Sequence, residues 1–170
     1  MSRRYLITGC SGGGKSTLIE HLADRGMHVI LEPGLRVIEG GGPKPWEDRS
    51  GFIETVTAMS RADLERPLPS GNPTFFDRGL FDALSGRAER EKVPLASLMH
   101  PPFPYAAPVF FAPPWPEIFE QTDERPHSFE IALDEAQRLR RDLELLGIEF
   151  FELPRVSVEE RAGFVLARIG

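Results

Sequence analysis

Short apolar runs alternate with helical repeats along most of this sequence. Five of these runs predict buried strands, at residues 5–8, 27–31, 74–77, 109–112 and 148–153. Between them, apolar residues recur every three or four positions and predict helices over 15–25, 51–66, 128–146 and 157–169, with another after Gly79. Strands that alternate with helices indicate a single α/β domain whose parallel sheet is covered by helices on both faces.

The loop after the first predicted strand carries the clearest chemical signal. It reads Gly9-Cys10-Ser11-Gly12-Gly13-Gly14-Lys15-Ser16 and lies between a strand and a helix, which is the setting of a phosphate-binding loop. Glycines let the backbone approach a phosphate, and the loop N–H groups and the helix N-terminus attract an anion. We therefore expect this loop and Thr17 to bind ATP, with Lys15 at the β- and γ-phosphates.

Asp77 ends the third predicted strand and is followed by Arg78. A carboxylate opposite Ser16 would complete a Mg²⁺ site in which the Ser16 hydroxyl is the other protein ligand. The alternative is an aspartate that caps the next helix. ATPases of the AAA type usually place a water-activating glutamate after this aspartate. Arg78 cannot act as a base and suits a phosphate clamp, so the pair favours phosphotransfer over hydrolysis.

Glu32 follows the second predicted strand, at the sheet edge that faces the ligand in open α/β folds. It could position and deprotonate an acceptor hydroxyl, or it could be an exposed charge at a strand end. Arg36, on the loop after Glu32, and Arg61, on the helix over 51–66, are candidates for substrate binding. A surface salt bridge is the alternative for Arg61.

Two segments lack the regular spacing of apolar residues that predicts a helix or a strand, and both could close over the site. Residues 116–128 carry mixed charge and form a loop or a lid. Arg125 within them could neutralise transition-state charge on closure, or it could be a solvated loop charge. Residues 40–46, rich in glycine and proline, could cover a substrate or serve only as a surface connection.

Composition narrows the classes of function. The formal net charge of −6 argues against a nucleic-acid or anionic-membrane partner. No apolar run approaches the roughly 20 residues of a membrane span. The single cysteine, Cys10, excludes an internal disulfide, and no signal-peptide pattern is visible, so we expect a cytoplasmic protein. The guanine-recognition motif of regulatory GTPases is absent from the sequence, and its four histidines have no metal-site spacing.

Four segments resemble a bacterial family of short P-loop proteins that are labelled AAA-domain ATPases or predicted nucleotide kinases. They are residues 7–18, 75–80, 113–116 and 153–161, and the resemblance covers nearly the whole chain. Glu32-Pro33 and Asp77-Arg78 are also similar to motifs of deoxynucleoside and thymidylate kinases, in which a glutamate at the first of these positions acts as a base. At the fold level, the chain is similar to the nicotinamide riboside kinase domain of a bacterial regulator.

This resemblance implies a three-layer P-loop NTPase fold with a five-stranded parallel sheet in the order 2-3-1-4-5. Asp77 would then lie beside the strand that leads into the phosphate loop. The kinases carry several arginines in the lid, whereas residues 123–126 of this sequence contain one arginine, Arg125. The chain therefore departs from the kinase pattern in its lid.

Together, these patterns predict an ATP- and Mg²⁺-dependent phosphotransferase that acts on a nucleoside, a nucleotide or a related ribosyl compound. The predicted catalytic residues are Lys15, Glu32, Asp77, Arg78 and Arg125. The predicted substrate-binding residues are Glu32, Arg36, Arg61 and Arg78, and the predicted Mg²⁺ ligands are Ser16 and Asp77. The alternative is a regulatory ATPase that acts as a nucleotide-dependent switch, and the sequence leaves a homodimer open. Phosphorylation of nucleic-acid ends is disfavoured because runs of basic residues are lacking.

Overall fold

The computed structural model describes residues 3–123 and 125–169. Five strands form one sheet: β1 (Arg4–Gly9), β2 (His28–Ile30), β3 (Thr74–Asp77), β4 (Val109–Ala112) and β5 (Phe150–Glu152). The helices are α1 (Lys15–Asp24), α2 (Pro33–Glu39), α3 (Arg49–Glu65), α4 (Leu80–Glu91), α5 (Leu95–Leu98), α6 (Phe129–Leu145) and α7 (Val158–Leu166), with a 3₁₀ turn at Pro116–Ile118. Within these ranges, every helix is too short or too polar to cross a membrane.

The sheet is parallel throughout, and its order β2-β3-β1-β4-β5 confirms the predicted topology. The central strand, β1, pairs with β3 and β4, so that Tyr5 lies opposite Phe75 and Thr8 lies opposite Phe111. The carboxyl ends of these three strands meet at one edge of the sheet. Ligands of open α/β folds bind at this edge, where β1 leads into the phosphate loop.

Helices cover both faces of the sheet, as predicted. On one face α1 and α7 pack against the strands through Leu18, Leu22, Ala162 and Val165. On the other face α4 and α6 do so through Leu80, Leu84, Leu139 and Leu143. A smaller cluster of Val37, Val56 and Ala83 joins α2, α3 and α4. The pair α2–α3 therefore forms a side wall beside α4, outside the sheet.

Helix α2 was not predicted, because Pro33 and Gly34 were interpreted only as strand breakers. Proline suits the first turn of a helix, where its missing N–H would have no partner in any case, and Pro33 begins α2 here. Arg36 consequently lies on a helix and not on a loop. The four-residue helix α5 was not predicted either.

Candidate active site

The phosphate loop connects β1 to α1 and depends on glycine at two positions. Gly9 has φ +114°, and a Cβ there would lie 2.3 Å from the carbonyl oxygen of Ala112 on β4. Gly14 has φ +81° and caps the start of α1 in the left-handed region, which disfavours a side chain. The Cys10 N–H also donates to the Ala112 carbonyl at 2.8 Å. The loop is thus tied to the centre of the sheet.

Lys15 lies inside this loop, with 5% of its surface exposed. Its Nζ donates to the carbonyl oxygen of Cys10 at 2.6 Å. Burial and the charge of Arg78 lower the pKa of Lys15. A bound anion would favour the charged ammonium and compensate for its desolvation. Burial also raises the pKa of the Cys10 thiol, which suits a loop residue better than a nucleophile.

Ser16 and Asp77 face each other across the start of α1 and the end of β3. The Ser16 hydroxyl donates to Oδ2 of Asp77 at 3.1 Å. The other carboxylate oxygen, Oδ1, is buried and has no hydrogen-bond partner among the residues that the structure describes. Burial, reinforced by the charge of Glu32, raises the pKa of Asp77 to about 7. A divalent cation would satisfy the unpaired oxygen and stabilise the ionised carboxylate, so these residues fit the Mg²⁺ that was predicted.

Arg78 connects the phosphate loop to the rest of the cavity. Its backbone lies in the left-handed region, with φ +58°, which turns the chain sharply after β3. The guanidinium donates to the Gly9 carbonyl at 3.0 Å and contacts three acids: Asp82 at 3.2 Å, Glu32 at 3.7 Å, and Glu135. Burial acts to lower the pKa of Arg78, but the charges of Glu135, Asp82 and Glu32 outweigh burial and raise it.

Glu135 and Asp82 were not predicted as site residues. Burial acts to raise the pKa of Glu135, but Arg78 outweighs this effect and the pKa is lowered. Asp82 accepts hydrogen bonds from the Thr8 hydroxyl and, at 3.0 Å, from the Gly79 N–H. The position of Asp82, three residues after Gly79, is a capping signal that sequence reasoning could have used. Glu135 has no such signal, because it looks like any acid on the polar side of an amphipathic helix.

Lys15, Ser16 and Glu32 line one continuous cavity of about 1160 Å³, whereas Asp77 does not line it. Beside the phosphate loop, its wall includes Trp115, Ile118, Val156 and Val158. Beside Glu32, its wall is mostly apolar and comes from α2, α3 and the loop over 40–46: Leu35, Ile38, Trp46, Phe52, Ile53 and Val56. Arg78, Asp82 and Glu135 also line the cavity, so the charged groups share one space with both walls.

The segment predicted as a lid contributes a further wall through residues between 118 and 123 and between 125 and 127, and Arg125 lines the cavity there. Its Nη1 donates to the Glu120 carbonyl at 3.5 Å, and its backbone pairs with Thr122. Within the described part of its own segment, the Arg125 side chain is therefore held by one long hydrogen bond. The role of Arg125 as a lid residue stays a prediction.

Arg36 and Arg61 do not line this cavity. The Arg36 guanidinium forms an ion pair with the buried Asp63, and its Nε donates to the Leu31 carbonyl at 3.1 Å. Arg61 donates to the carbonyl oxygen of His100. Both side chains hold parts of the scaffold together, and we leave them out of the proposed acceptor site.

Arg161, on α7, is a buried arginine that sequence reasoning missed. Its Nη1 donates to the Gly13 carbonyl at 2.7 Å and its Nε to the Pro154 carbonyl at 2.7 Å. The guanidinium lies 4.6 Å from the centre of the Trp115 ring. Burial and the charge of Arg155 lower the pKa of Arg161 to about 10. Arg161 forms no ion pair with a carboxylate in the described part of the chain, so an incompletely compensated cation supports the loop that would receive an anionic nucleotide.

Residues 4–161 match the sequence model of a family described as an AAA domain. The chain belongs to this AAA domain family. The match confirms the resemblance seen in the sequence and spans the phosphate loop, Glu32, Arg78, Glu135 and Arg161. A search of curated proteins found no match to the sequence of this chain.

Three solved structures share its fold. The NadR protein in complex with NR has a TM-score of 0.71 and 14% identity, over 98% of this chain and 50% of that one. Thymidylate kinase from Candida albicans has a TM-score of 0.63 and 14% identity, over 98% and 90%. Deoxyadenosine kinase from M. mycoides with bound dATP has a TM-score of 0.57 and 13% identity, over 97% of each chain. The AAA domain chain therefore has the P-loop kinase fold, and it spans half the length of the NadR chain.

Proposed function

We propose that this chain is an ATP- and Mg²⁺-dependent phosphotransferase. Its acceptor would be a small molecule: a nucleoside, a nucleotide or a related ribosyl compound. The observation that carries the proposal is the extent of the cavity. Its volume of about 1160 Å³ exceeds the roughly 300–1000 Å³ of a typical single ligand site. Past Arg78 it offers an apolar wall that a hydrolase, which needs only a water there, would not require. The fold shared with thymidylate and deoxyadenosine kinases supports the same conclusion.

On the donor side, the loop over 9–17 would bind the ATP phosphates through its backbone N–H groups, with Lys15 at the β- and γ-phosphates. Ser16 and Asp77 would hold Mg²⁺, which supplies charge neutralisation on the phosphate oxygens when it is bound. Arg125 would add positive charge from the lid side of the cavity.

On the acceptor side, Glu32 would accept the proton of the acceptor hydroxyl as its oxygen attacks the γ-phosphorus. The new bond forms between the acceptor oxygen and phosphorus, the bond from phosphorus to the bridging oxygen breaks, and ADP leaves. Arg78 would bind the transferring group, because its guanidinium already donates to the Gly9 carbonyl at the mouth of the loop. Glu135 and Asp82 would hold that guanidinium in place from two helices.

A screen of nucleosides and nucleotides with labelled ATP tests the proposal. We expect phosphate transfer to one acceptor class and a loss of at least about tenfold in kcat for Glu32→Gln, since general bases contribute roughly 10²- to 10⁴-fold. Release of ADP that needs no acceptor and is unchanged in Glu32→Gln would contradict it and support the regulatory ATPase.

Substitutions at two glycines distinguish a blocked acceptor space from a damaged fold. Gly86 on α4 lines the cavity, and a Cβ there would meet no atom within 4 Å. We expect Gly86→Leu to fold normally and to bind ATP, but to lose turnover because its side chain enters the acceptor space. Gly163 on α7 has the same free surroundings and does not line the cavity, so Gly163→Leu is the matched control and should keep full activity.

A further inference from the structure

The acceptor side of the cavity meets a cleft of about 720 Å³ between the start of α3, the end of α4 and α6. Four residues line both spaces: Arg49, Ile131, Glu135 and Arg138. Because these shared residues join the two spaces, an acceptor whose hydroxyl lies beside Arg78 would extend toward this cleft.

Two arginines in the cleft form no ion pair with a carboxylate of the described residues. Arg49, the first residue of α3, is exposed and makes no hydrogen bond or ion pair with any residue that the structure describes. Arg138 on α6 donates its Nε to the Ser85 hydroxyl at 3.0 Å, and no carboxylate of the described residues lies within ion-pair distance of it. Burial lowers the pKa of Arg138, and the charges of Glu135 and Asp142 offset this effect only in part, so the cation is incompletely compensated.

The acids near these two arginines are largely engaged elsewhere. Glu89 forms an ion pair with Lys92 at 3.1 Å, and Glu135 contacts Arg78. Asp134 also lines the cleft and is exposed, as Arg49 is, so water and salt screen both charges alike. The basic lining residues nevertheless outnumber the acidic ones: they are Arg49, Arg90, Lys92, Arg138 and Arg141, against Glu89, Asp134 and Glu135. In a chain with a net charge of −6, this end of the cavity is a local positive site.

On the basis of the phosphotransfer proposed above, we propose that the acceptor carries an anionic oxygen group at the end remote from its reacting hydroxyl, and that Arg49 and Arg138 bind this group. Phosphomonoesters and carboxylates share the required chemistry, because a guanidinium donates two parallel hydrogen bonds to either. The apolar wall with Trp46 and Phe52 would pack against the ring that connects the two ends.

Matched acceptor pairs test this inference with the whole 170-residue chain and ATP·Mg²⁺. One arm compares ribonucleosides with their 3′-monophosphates, and the other compares hydroxylated ring carboxylic acids with their methyl esters. We expect the anionic member of one arm to have a KM roughly ten- to hundredfold lower than its neutral partner at similar kcat, since a hydrogen bond to a charged group is worth that factor. The arm that shows the preference identifies the anionic group.

Charge-removing variants assign the effect to residues. Arg49→Gln and Arg138→Gln should each raise the KM for the anionic acceptor about tenfold, without changing the KM for the neutral one or the affinity for ATP. Arg87 on α4 is the control, because it pairs with Glu91 at 2.8 Å and does not line either space. Arg87→Gln removes the same charge and should leave both KM values unchanged.

The outcomes separate this inference from the phosphotransfer itself. Equal use of anionic and neutral acceptors, or equal effects of Arg49→Gln and Arg138→Gln on both, would overturn the anion site while phosphotransfer stands. Failure of every compound to accept phosphate from ATP would overturn phosphotransfer, and the anion site with it.

Discussion

Replacement of Asp77 by asparagine tests the electrostatics of the site most directly. In the nucleotide-free chain the pKa of Asp77 is about 7, against an ordinary value of 3.8, because burial and the charge of Glu32 disfavour its ionised form. At a pH between these two pKa values, Asp77 is therefore mostly protonated in the folded chain and mostly ionised in the unfolded chain. By linkage, the free energy of unfolding falls as the pH rises through this window.

The size of the effect follows from the two pKa values. Titration of one carboxyl with a pKa of 3.8 when unfolded and about 7 when folded lowers the free energy of unfolding by about 2–3 kcal/mol between about pH 5 and about pH 8. Solvent does not screen this effect, because Asp77 is only 2% exposed. Asparagine has no such titration, so Asp77→Asn should be less sensitive to pH by the same amount.

Urea unfolding at several pH values between these limits, with a chelator and without nucleotide, measures the difference. The fluorescence of Trp46 and Trp115 reports the transition. Asp24→Asn, which removes an exposed carboxylate on α1, should keep the wild-type pH dependence. Parallel pH profiles for the wild type and Asp77→Asn would refute the raised pKa. Addition of ATP·Mg²⁺ should stabilise the wild type and not Asp77→Asn, because ligand that binds the folded state alone raises its stability.

Three further substitutions probe separate parts of the site. Gly9→Ala should destabilise the chain by about 3 kcal/mol or more in thermal unfolding, since its Cβ would meet a β4 carbonyl and its φ is positive; a wild-type melting temperature would contradict the described loop. Glu135→Gln should lower kcat about tenfold, because Arg78 loses an ionised partner, and unchanged kcat with all acceptors would exclude this positioning role. Arg161→Lys should weaken ATP binding roughly tenfold in calorimetry, since a flexible lysine lacks the rigid fork with which two nitrogens of the guanidinium reach two separate carbonyls; equal affinities would show that the loop holds its shape alone.

Strands and their order followed from the sequence more completely than the helices did. The bounds of β3 and β4 agree with the prediction because continuous apolar runs have few alternatives inside a covered parallel sheet. The order of the strands came from family resemblance, and the structure confirms it. Helix α2 was not predicted, because its seven residues begin with proline and glycine and show no clear helical spacing of apolar positions. Tertiary contacts of Val37 with α3 and α4 stabilise it instead.

Parts of the site followed from local patterns, and other parts depend on folding. Lys15, Ser16 and Asp77 lie in motifs whose neighbours fix their positions, and the structure brings them together at one sheet edge. Glu135 reaches Arg78 from a helix 57 residues away in sequence. Arg161 reaches the loop from 148 residues away. Pairings at such separations leave no local trace, so a single sequence cannot reveal them.

The central position of β1 affects how the chain can be made. At a synthesis rate of roughly 5–20 residues per second, β1 leaves the ribosome several seconds before its partner β4 exists. During that time an apolar strand has at least one open edge, because β3 can cover only one side of β1, and an open edge favours aggregation or capture by a chaperone. Because Arg161 supports the loop, the nucleotide site is completed only after residue 161 has been made. ATP binding by the newborn chain would therefore report that the whole sheet has assembled.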